Sequence, residues 1–303
     1  MPTAKDRLTH ALTLLSDDEC DALTPLFEDV VEGERFWERD VAVFYNQHAK
    51  ARPIVVKRGV ASHQNNAPGP VAREDLFLPI PVVKSVPHGE KVKLPAPEPI
   101  RGELGALLRS RRSRRSFTGE RIPLQALATL LGHAAGVTGA TEAYGFSRLP
   151  LRPFPSSGGL GSPEIYLCVQ RVDGLEPGLY HYAAADHALE RMRDDDPSRF
   201  IAGRTFGQAW VGEGAVTFII TGLYDRLRWK YGERGYRYMC MDAGFLGQNL
   251  YLVGEAMGLG VCALAGFYDD DVDRFLGIDT SEEMVLMLMG VGVPRPDAEQ
   301  AGR

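Results

Sequence analysis

A short segment of the chain carries five arginines in seven residues: Arg109, Arg111, Arg112, Arg114 and Arg115. Guanidinium groups bind phosphate oxygens through paired hydrogen bonds, and each charge-assisted bond contributes about 1.5–3 kcal/mol. Ser113 and Ser116 interleave with these arginines, and small hydroxyl groups beside arginines suit a sugar phosphate. The segment therefore predicts an anion site, with a solvated basic surface as the equally weighted alternative.

A proline- and glycine-rich loop, PFPSSGGLGS at residues 153–162, is the second candidate. Prolines fix the path of the chain, and glycines let backbone amides approach a ligand closely. The spacing matches neither GxGxxG nor GxxxxGK[ST], so it predicts neither a dinucleotide-binding fold nor a P-loop. An ordinary loop leading into the next strand is the alternative. The candidate contacts are Pro155, Ser156, Ser157 and Gly158.

Two candidate proton-transfer groups, Lys230 and Tyr231, lie in the sequence WKYGERGYRY at residues 229–238. Lysine and tyrosine can exchange protons with a substrate when a site removes them from water. The commoner roles for these residue types are a surface charge and a packing aromatic ring. Both interpretations remain open on the local sequence.

Two polar amides, Gln248 and Asn249, interrupt an otherwise apolar predicted helix at residues 236–257. Polar amides on an apolar helix need hydrogen-bond partners, either in a ligand site or in a core or interface. Further along, Ala265 and Gly266 end a predicted strand, where a backbone amide could reach a ligand. A strand-to-helix turn capped by Asp269 explains the same residues equally well.

Composition limits the possible function classes. The chain has 303 residues, of which 44% are hydrophobic, which is enough for a large core. Its net charge of −6 argues against general nucleic-acid binding, which requires a basic face, although it permits a local basic pocket.

Cysteine spacing and hydropathy indicate where the protein is located and whether it binds a metal. The four cysteines, at positions 20, 168, 240 and 262, show no CxxC or Cys/His spacing, so neither a zinc site nor a disulfide framework is expected. The N-terminal residues lack an apolar signal core, and the apolar segment 239–261 contains four polar residues. We therefore expect a cytoplasmic protein without a metal, a nucleic-acid partner or a membrane span.

The secondary structure predicted from periodicity changes near residue 100. Residues 1–46 are predicted to be helical, and residues 60–70 and 84–100 to be extended connectors. We therefore divide the chain into an N-terminal segment, 1–100, and a domain, 101–303.

The domain alternates helices and strands without a regular βαβ order, which favours an α+β fold over a doubly wound sheet. Helices are predicted at residues 102–110, 123–135, 197–209 and 236–257. Strands are predicted at residues 163–170, 178–182, 188–193, 215–222, 260–266 and 284–291.

Five segments, taken in order, resemble the nitroreductase-like flavoproteins: 111–117, 152–160, 164–182, 230–252 and 264–271. More narrowly they resemble the SagB/ThcOx-type dehydrogenases, the azoline oxidases of ribosomal peptide biosynthesis. The similarity extends from about residue 100 to residue 294. It implies a central, mostly antiparallel sheet flanked by helices, in an interlocked homodimer that binds FMN between its subunits.

The resemblance also implies residue roles. Lys230 and Tyr231 correspond to the Lys-Tyr pair of the azoline oxidases. Arg111, Ser113 and Arg115 match contacts to the phosphate, ribityl chain and pyrimidine, and a cation near the pyrimidine stabilises reduced flavin. The full set of implied cofactor contacts is Arg111, Arg112, Ser113, Arg115, Pro155, Ser156, Ser157, Gly158, Gln248, Asn249, Ala265, Gly266 and Arg295.

The chain departs from the family pattern at several positions. The family usually has alanine at Ser157, glutamate at Asp242 and histidine at Phe245, and it has a tyrosine-proline step where this chain has residues 161–163. These departures leave the flavin site intact and leave the substrate open.

The sequence is therefore compatible with three functions. The first is two-electron oxidation of a peptide or carrier-bound heterocycle, of the azoline-to-azole type. The second is NAD(P)H-driven reduction of nitroaromatics or quinones, and the third is a non-catalytic role in a modifying complex. The expected partners are a second copy of the chain and other biosynthetic enzymes.

Overall fold

The computed structural model describes residues 83–86 and 89–296. The helices predicted within residues 1–46 and the connector at 60–70 lie outside the described residues. The described residues belong to one compact unit. The domain boundary near residue 100 stays a prediction.

Eleven strands are present in the described residues. They are β1 (Lys91–Lys93), β2 (Ile122–Pro123), β3 (Gly139–Ala143), β4 (Phe146–Leu151), β5 (Pro163–Val169), β6 (Val172–Asp173), β7 (Gly178–Ala183), β8 (Ala188–Arg193), β9 (Val216–Leu223), β10 (Gly260–Leu264) and β11 (Glu283–Gly292). Seven of them form the main sheet in the order β1-β8-β7-β5-β9-β11-β10. Every neighbouring pair in this sheet is antiparallel.

Six α-helices are described. They are α1 (Leu104–Ser110), α2 (Leu124–Ala135), α3 (Ser198–Ala202), α4 (Asp225–Tyr231), α5 (Gly235–Ala256) and α6 (Asp269–Leu276). Three short 3₁₀ turns accompany them, at Ser157–Gly159, Ala209–Gly212 and Gly232–Arg234. The turn at Gly232–Arg234 joins α4 directly to the long helix α5.

The main sheet is covered on both faces, which explains why every residue of β5 and all but the last residue of β9 are buried. One face packs against α2 and α5, through side chains such as Leu127, Leu131, Leu246 and Leu250. The other face forms a second cluster with Phe275 of α6. The sheet and α5 thus form a rigid scaffold for the loops at the strand ends.

The predicted α+β fold, with a mostly antiparallel sheet flanked by helices, is confirmed. The helix predicted at 197–209 is wrong beyond Ala202, because Gly203 caps it and the chain turns at Gly207 with φ 74°. The strand predicted at 260–266 ends at Leu264. In the part of the chain that is described, no helix is both long and apolar enough to cross a lipid bilayer.

The sequence did not predict the β3–β4 hairpin. Its strands are largely exposed and carry polar residues in place of an apolar alternation. One buried side chain, Leu149, attaches it to the rest of the fold. This hairpin nevertheless contributes a side chain to the candidate site.

Candidate functional site

Three polar side chains converge on Gly158, in the 3₁₀ turn of the proline- and glycine-rich loop. Gly158 has φ 66°, a backbone conformation that favours glycine. A β-carbon placed there would lie 2.7 Å from the Tyr231 hydroxyl, 3.1 Å from Lys230 Nζ and 3.3 Å from the Tyr144 hydroxyl. The structure therefore brings the two predicted proton-transfer residues together at the loop.

Lys230 and Tyr231 occupy the last turn of α4, which ends at Tyr231 and is capped by Gly232. Lys230 Nζ donates a hydrogen bond to the Tyr144 hydroxyl and lies 4.0 Å from the centre of that ring. Burial, followed by the nearby Tyr144, raises the pKa of the Tyr231 hydroxyl well above its usual range. Tyr231 therefore remains protonated, and is a hydrogen-bond donor, across the neutral pH range.

Asp242 of α5 holds the proline- and glycine-rich loop in place through hydrogen bonds. Its Oδ1 accepts hydrogen bonds from the Ser157 backbone N–H at 3.0 Å and the Ser157 hydroxyl at 2.9 Å. Its Oδ2 accepts one from the Ser162 hydroxyl at 3.0 Å. Burial raises the pKa of the Asp242 carboxyl, and the hydrogen bonds from the two serines oppose that shift. The loop conformation thus depends on one buried carboxylate.

Arg226 attaches α4 to the far end of the same loop. It is one helical turn before Lys230, and its guanidinium donates to the Gly161 carbonyl at 2.7 Å. The same group forms an ion pair with Glu164 Oε1 at 2.6 Å, and both side chains are buried. Burial opposes ionisation of Glu164, but Arg226, then His181, then Arg152 hold the pKa of its carboxyl down at about 2.

The arginine segment lies against β10 and α5. The Arg114 N–H donates to the Val261 carbonyl at 3.1 Å, which fixes the backbone of the segment. Tyr251 of α5 organises its side chains, because the tyrosine hydroxyl is 3.1 Å from Ser113 Oγ and accepts the Ala263 N–H at 2.7 Å. The guanidinium of Arg111 lies over the same tyrosine ring, 4.8 Å from its centre.

The other candidate arginines differ in their surroundings. Arg112 is exposed, and its guanidinium donates to the carbonyls of Arg109 and Arg111 at 2.8 Å. Arg115 is also exposed and lies 6.0 Å from the centre of the Trp210 ring. Arg295 Nε donates to the backbone carbonyl of Phe117, two residues after the arginine segment, at 2.7 Å.

The remaining candidates lie at the surface or beside the sheet. Pro155, Gln248 and Ala265 are exposed. The Asn249 amide donates weakly to the carbonyl of Ala134, at 3.4 Å. Gly266 follows the end of β10, and a β-carbon there would lie 3.2 Å from the exposed Phe206 ring.

Within one chain these residues form two separate groups. The loop group consists of Ser157, Gly158, Tyr144, Lys230 and Tyr231, and it contacts Asp242 through Ser157. The arginine group consists of Arg111, Ser113, Arg115 and Arg295, and it contacts Tyr251, nine residues further along α5, through Ser113. That separation corresponds to about 14 Å along the helix axis. The first group offers a lysine, a protonated tyrosine and backbone amides, whereas the second offers guanidinium and hydroxyl donors for an anion.

Sequence reasoning missed three residues of these groups: Tyr144, Tyr251 and Arg226. The Tyr144-Gly145 step was a detectable turn signal. Tyr251 lies on the predicted helix three positions after Gln248, so that helical spacing places the two on neighbouring turns. Nothing in the sequence marks Arg226, because its role depends on the distant Glu164.

The family model described as Nitroreductase family matches residues 108–293 of this chain. Putative nitroreductase MJ1384 of Methanocaldococcus jannaschii is 32% identical over 204 residues, which are 67% of this chain and 98% of that protein. The microcin B17-processing protein McbC of Escherichia coli is 28% identical over 133 residues, which are 42% of this chain and 49% of McbC. The chain thus spans nearly all of the first relative and about half of the second.

A solved structure of the E. coli microcin synthetase McbBCD complex, with truncated pro-MccB17 bound, contains a chain of similar fold. The TM-score is 0.50 and the sequence identity 21%, and the match covers 93% of this chain and 96% of that one. At this identity the likeness concerns the fold.

Proposed function

The chain belongs to the nitroreductase family of FMN-dependent oxidoreductases, and from this premise we propose that it oxidises a peptide or carrier-bound azoline ring to an azole by removing two electrons. The observation that carries this proposal is the convergence of Lys230 and Tyr231 on Gly158. An azoline oxidase needs a proton acceptor beside the substrate ring, and this cluster provides one. The similarity to a microcin-processing protein supports a role in natural-product biosynthesis.

The arginine group has the donor chemistry that FMN requires. Arg111 and Ser113 are both oriented by Tyr251, and together they offer a cation and a hydroxyl to a phosphorylated polyol. Arg115 and Arg295 are the proposed further contacts. When bound, FMN supplies an acceptor for the hydride that leaves the substrate carbon.

The chain's own residues handle the proton. Conversion of an azoline to an azole removes one hydride from a ring carbon and one proton from its neighbour, so the two hydrogens leave separately. We assign the neutral amine of Lys230 as the base, so that its Nζ lone pair accepts the proton and the side chain becomes an ammonium group. The protonated Tyr231 hydroxyl donates a hydrogen bond to the substrate, and dioxygen is the proposed final oxidant.

A second copy of the chain is the proposed partner, with FMN bound between the subunits. Three apolar side chains of α5, Tyr236, Met241 and Phe245, are between 38% and 48% exposed, and two leucines of the neighbouring α1, Leu104 and Leu108, are 61% and 53% exposed. Such a surface on a globular protein favours an interface. Pairing of two chains across α5 would let the loop group of one face the arginine group of the other. Other biosynthetic enzymes are proposed as further partners.

Nitro or quinone reduction driven by NAD(P)H is the second candidate. It is favoured by the match to MJ1384, which is higher in identity and coverage than the match to McbC. The same cofactor site would serve both reactions, so only the electron donor distinguishes them.

The test compares FMN-loaded Lys230→Ala and Tyr231→Phe with the unmodified protein. Both variants should retain the visible flavin spectrum and lose turnover of an azoline peptide, because the changed groups act on the substrate proton. Lys91→Ala and Tyr180→Phe are matched controls, since Lys91 pairs with Asp186 and the Tyr180 hydroxyl with the Glu176 carbonyl. Full turnover in both site variants would contradict the assignment.

A further inference from the structure

Tyr144 occupies an unusual backbone position at the tip of the β3–β4 hairpin. Tyr144 and Gly145 form the two-residue connection, with φ of 54° and 80°. Two positive φ values in succession are typical of a type I′ turn, whose first position favours asparagine, aspartate or glycine. A bulky aromatic residue is strained there, and strain of this kind concentrates at functional sites.

The Tyr144 side chain is held on two sides. The Trp229 ring contacts it edge-to-face, with 5.6 Å between ring centres. Lys230 Nζ donates its hydrogen bond to the hydroxyl and lies over the ring. Tyr144 therefore contacts both residues that immediately precede Tyr231 in α4.

The β3–β4 hairpin packs against the proline- and glycine-rich loop through Leu149. Leu149, the buried residue of β4, lies against the loop, where a β-carbon on Gly159 would be 3.7 Å from its Cδ2. The hairpin that carries Tyr144 thus lies in direct contact with the loop that carries Gly158. Held in this way, the Tyr144 hydroxyl is a fixed hydrogen-bond acceptor for the flexible side chain of Lys230.

We propose that Tyr144 is a positioning residue that holds Lys230 Nζ over Gly158 in the orientation for proton removal. Lysine has a flexible four-carbon chain, and one fixed acceptor selects a single rotamer from many. Contact of Nζ with the Tyr144 ring, 4.0 Å from its centre, restricts the lysine rotamer further. This inference rests on the proposed role of Lys230 and extends it to a residue from a separate structural element.

The test uses the full-length FMN-loaded protein with the change Tyr144→Phe, which keeps the ring and removes the hydroxyl. FMN affinity and the folding transition should be unchanged, whereas the rate of anaerobic flavin reduction by an azoline peptide should fall about 10–100-fold. A second readout does not depend on activity. Modification of Lys230 by an amine-acylating reagent, followed by mass spectrometry with and without FMN, should speed up about three- to tenfold because one hydrogen bond is lost.

Tyr144→Asn separates positioning from hairpin folding. Asparagine suits the first position of a type I′ turn, so the hairpin should be retained while the reduction rate falls at least as far as in Tyr144→Phe. Tyr180→Phe is the control and should match the unmodified protein in every measurement.

The outcomes distinguish the inference from the function on which it rests. If the azoline peptide does not reduce the flavin of the unmodified protein, the proposed function fails, and if Lys230→Ala keeps full activity, the assignment of Lys230 as the base fails. If Lys230→Ala abolishes the reaction but Tyr144→Phe changes neither the reduction rate nor the labelling of Lys230, the positioning role is overturned. Loss of activity in Tyr144→Phe with unchanged labelling also overturns it, because the hydroxyl would then act other than by holding the lysine.

Discussion

Ser157 donates both its backbone N–H and its hydroxyl to the Asp242 carboxylate, at 3.0 and 2.9 Å. The family that this chain resembles usually has alanine and glutamate at these two positions. Asp242 has a shorter side chain than glutamate, and Ser157 has a hydroxyl donor that alanine lacks and that reaches this carboxylate. We predict that the two departures compensate for each other and together hold the loop beside Lys230 and Tyr231.

This pairing predicts non-additive effects of mutation. Ser157→Ala should destabilise the protein by about 1.5–3 kcal/mol, because a buried carboxylate loses a donor. Asp242→Glu should cost about 1–3 kcal/mol through overpacking. The double variant should recover at least about 0.5 kcal/mol relative to the sum, as coupled residues do. Urea denaturation measures all three, and strict additivity would contradict the pairing.

The two adjacent glycines of the loop should respond differently to alanine. Both have positive φ, 66° at Gly158 and 71° at Gly159, so both variants carry the strain of about 1–2 kcal/mol. Only the Gly158→Ala β-carbon meets Tyr231 and Lys230; on Gly159 it makes an ordinary contact. Gly158→Ala should therefore lose most turnover with FMN still bound, whereas Gly159→Ala should remain active. Equal activities would show that the cluster at Gly158 is not the site.

Arg111 and Arg112 provide a second matched pair. Arg111 is oriented over Tyr251, whereas the Arg112 guanidinium is engaged by nearby carbonyls and is exposed. Arg111→Ala should weaken FMN binding about 10–100-fold, the equivalent of one lost charge-assisted bond. Arg112→Ala should change it by less than about threefold, as expected for an exposed charge. Fluorescence titration with FMN measures both, and the opposite order would exclude Arg111 as a phosphate contact.

Ionised Glu164 should stabilise the folded protein, and this contribution to the free energy of unfolding should be lost in acid. Its carboxyl pKa is held at about 2 in the folded protein, against an ordinary value of 4.5, so its contribution to stability is complete above pH 4.5 and is lost as the pH falls towards 2. Glu164→Gln should cost about 3–5 kcal/mol near neutral pH, because Arg226 is then buried without its partner.

The check is the difference in unfolding free energy between Glu164→Gln and the unmodified protein as the pH is lowered. That difference should shrink below pH 4.5. The exposed Glu120→Gln is the control and should show no such change. A difference that stays constant with pH would mean that Glu164 is not ionised in the folded protein.

Local sequence patterns predicted the scaffold well and the site only in part. The strand at residues 188–193 was predicted with its observed limits, and the helical pattern at residues 236–257 placed α5 to within one residue at each end. The exposed β3–β4 hairpin gave no apolar alternation and was missed. The helix predicted at residues 197–209 ends at Ala202, because Gly203 caps it and Gly207 has a positive φ.

The resemblance supplied Lys230 and Tyr231, but their convergence on Gly158 needed the fold, because the loop and α4 are distant in sequence. The contacts of Tyr144 and of Arg226 likewise depend on tertiary packing. The same holds for Tyr251, which orients Arg111 and Ser113 from another element. Residue types predicted the chemistry of the site, whereas the arrangement of its supports came from packing.

The most direct measurement of the central claim is anaerobic mixing of the FMN-loaded protein with an azoline-containing peptide, followed at the flavin absorption band. The account predicts bleaching by the azoline peptide, formation of one azole per flavin, and much slower bleaching by NADPH. Rapid bleaching by NADPH with none by the azoline peptide would contradict it and establish the reductase as the function of this site.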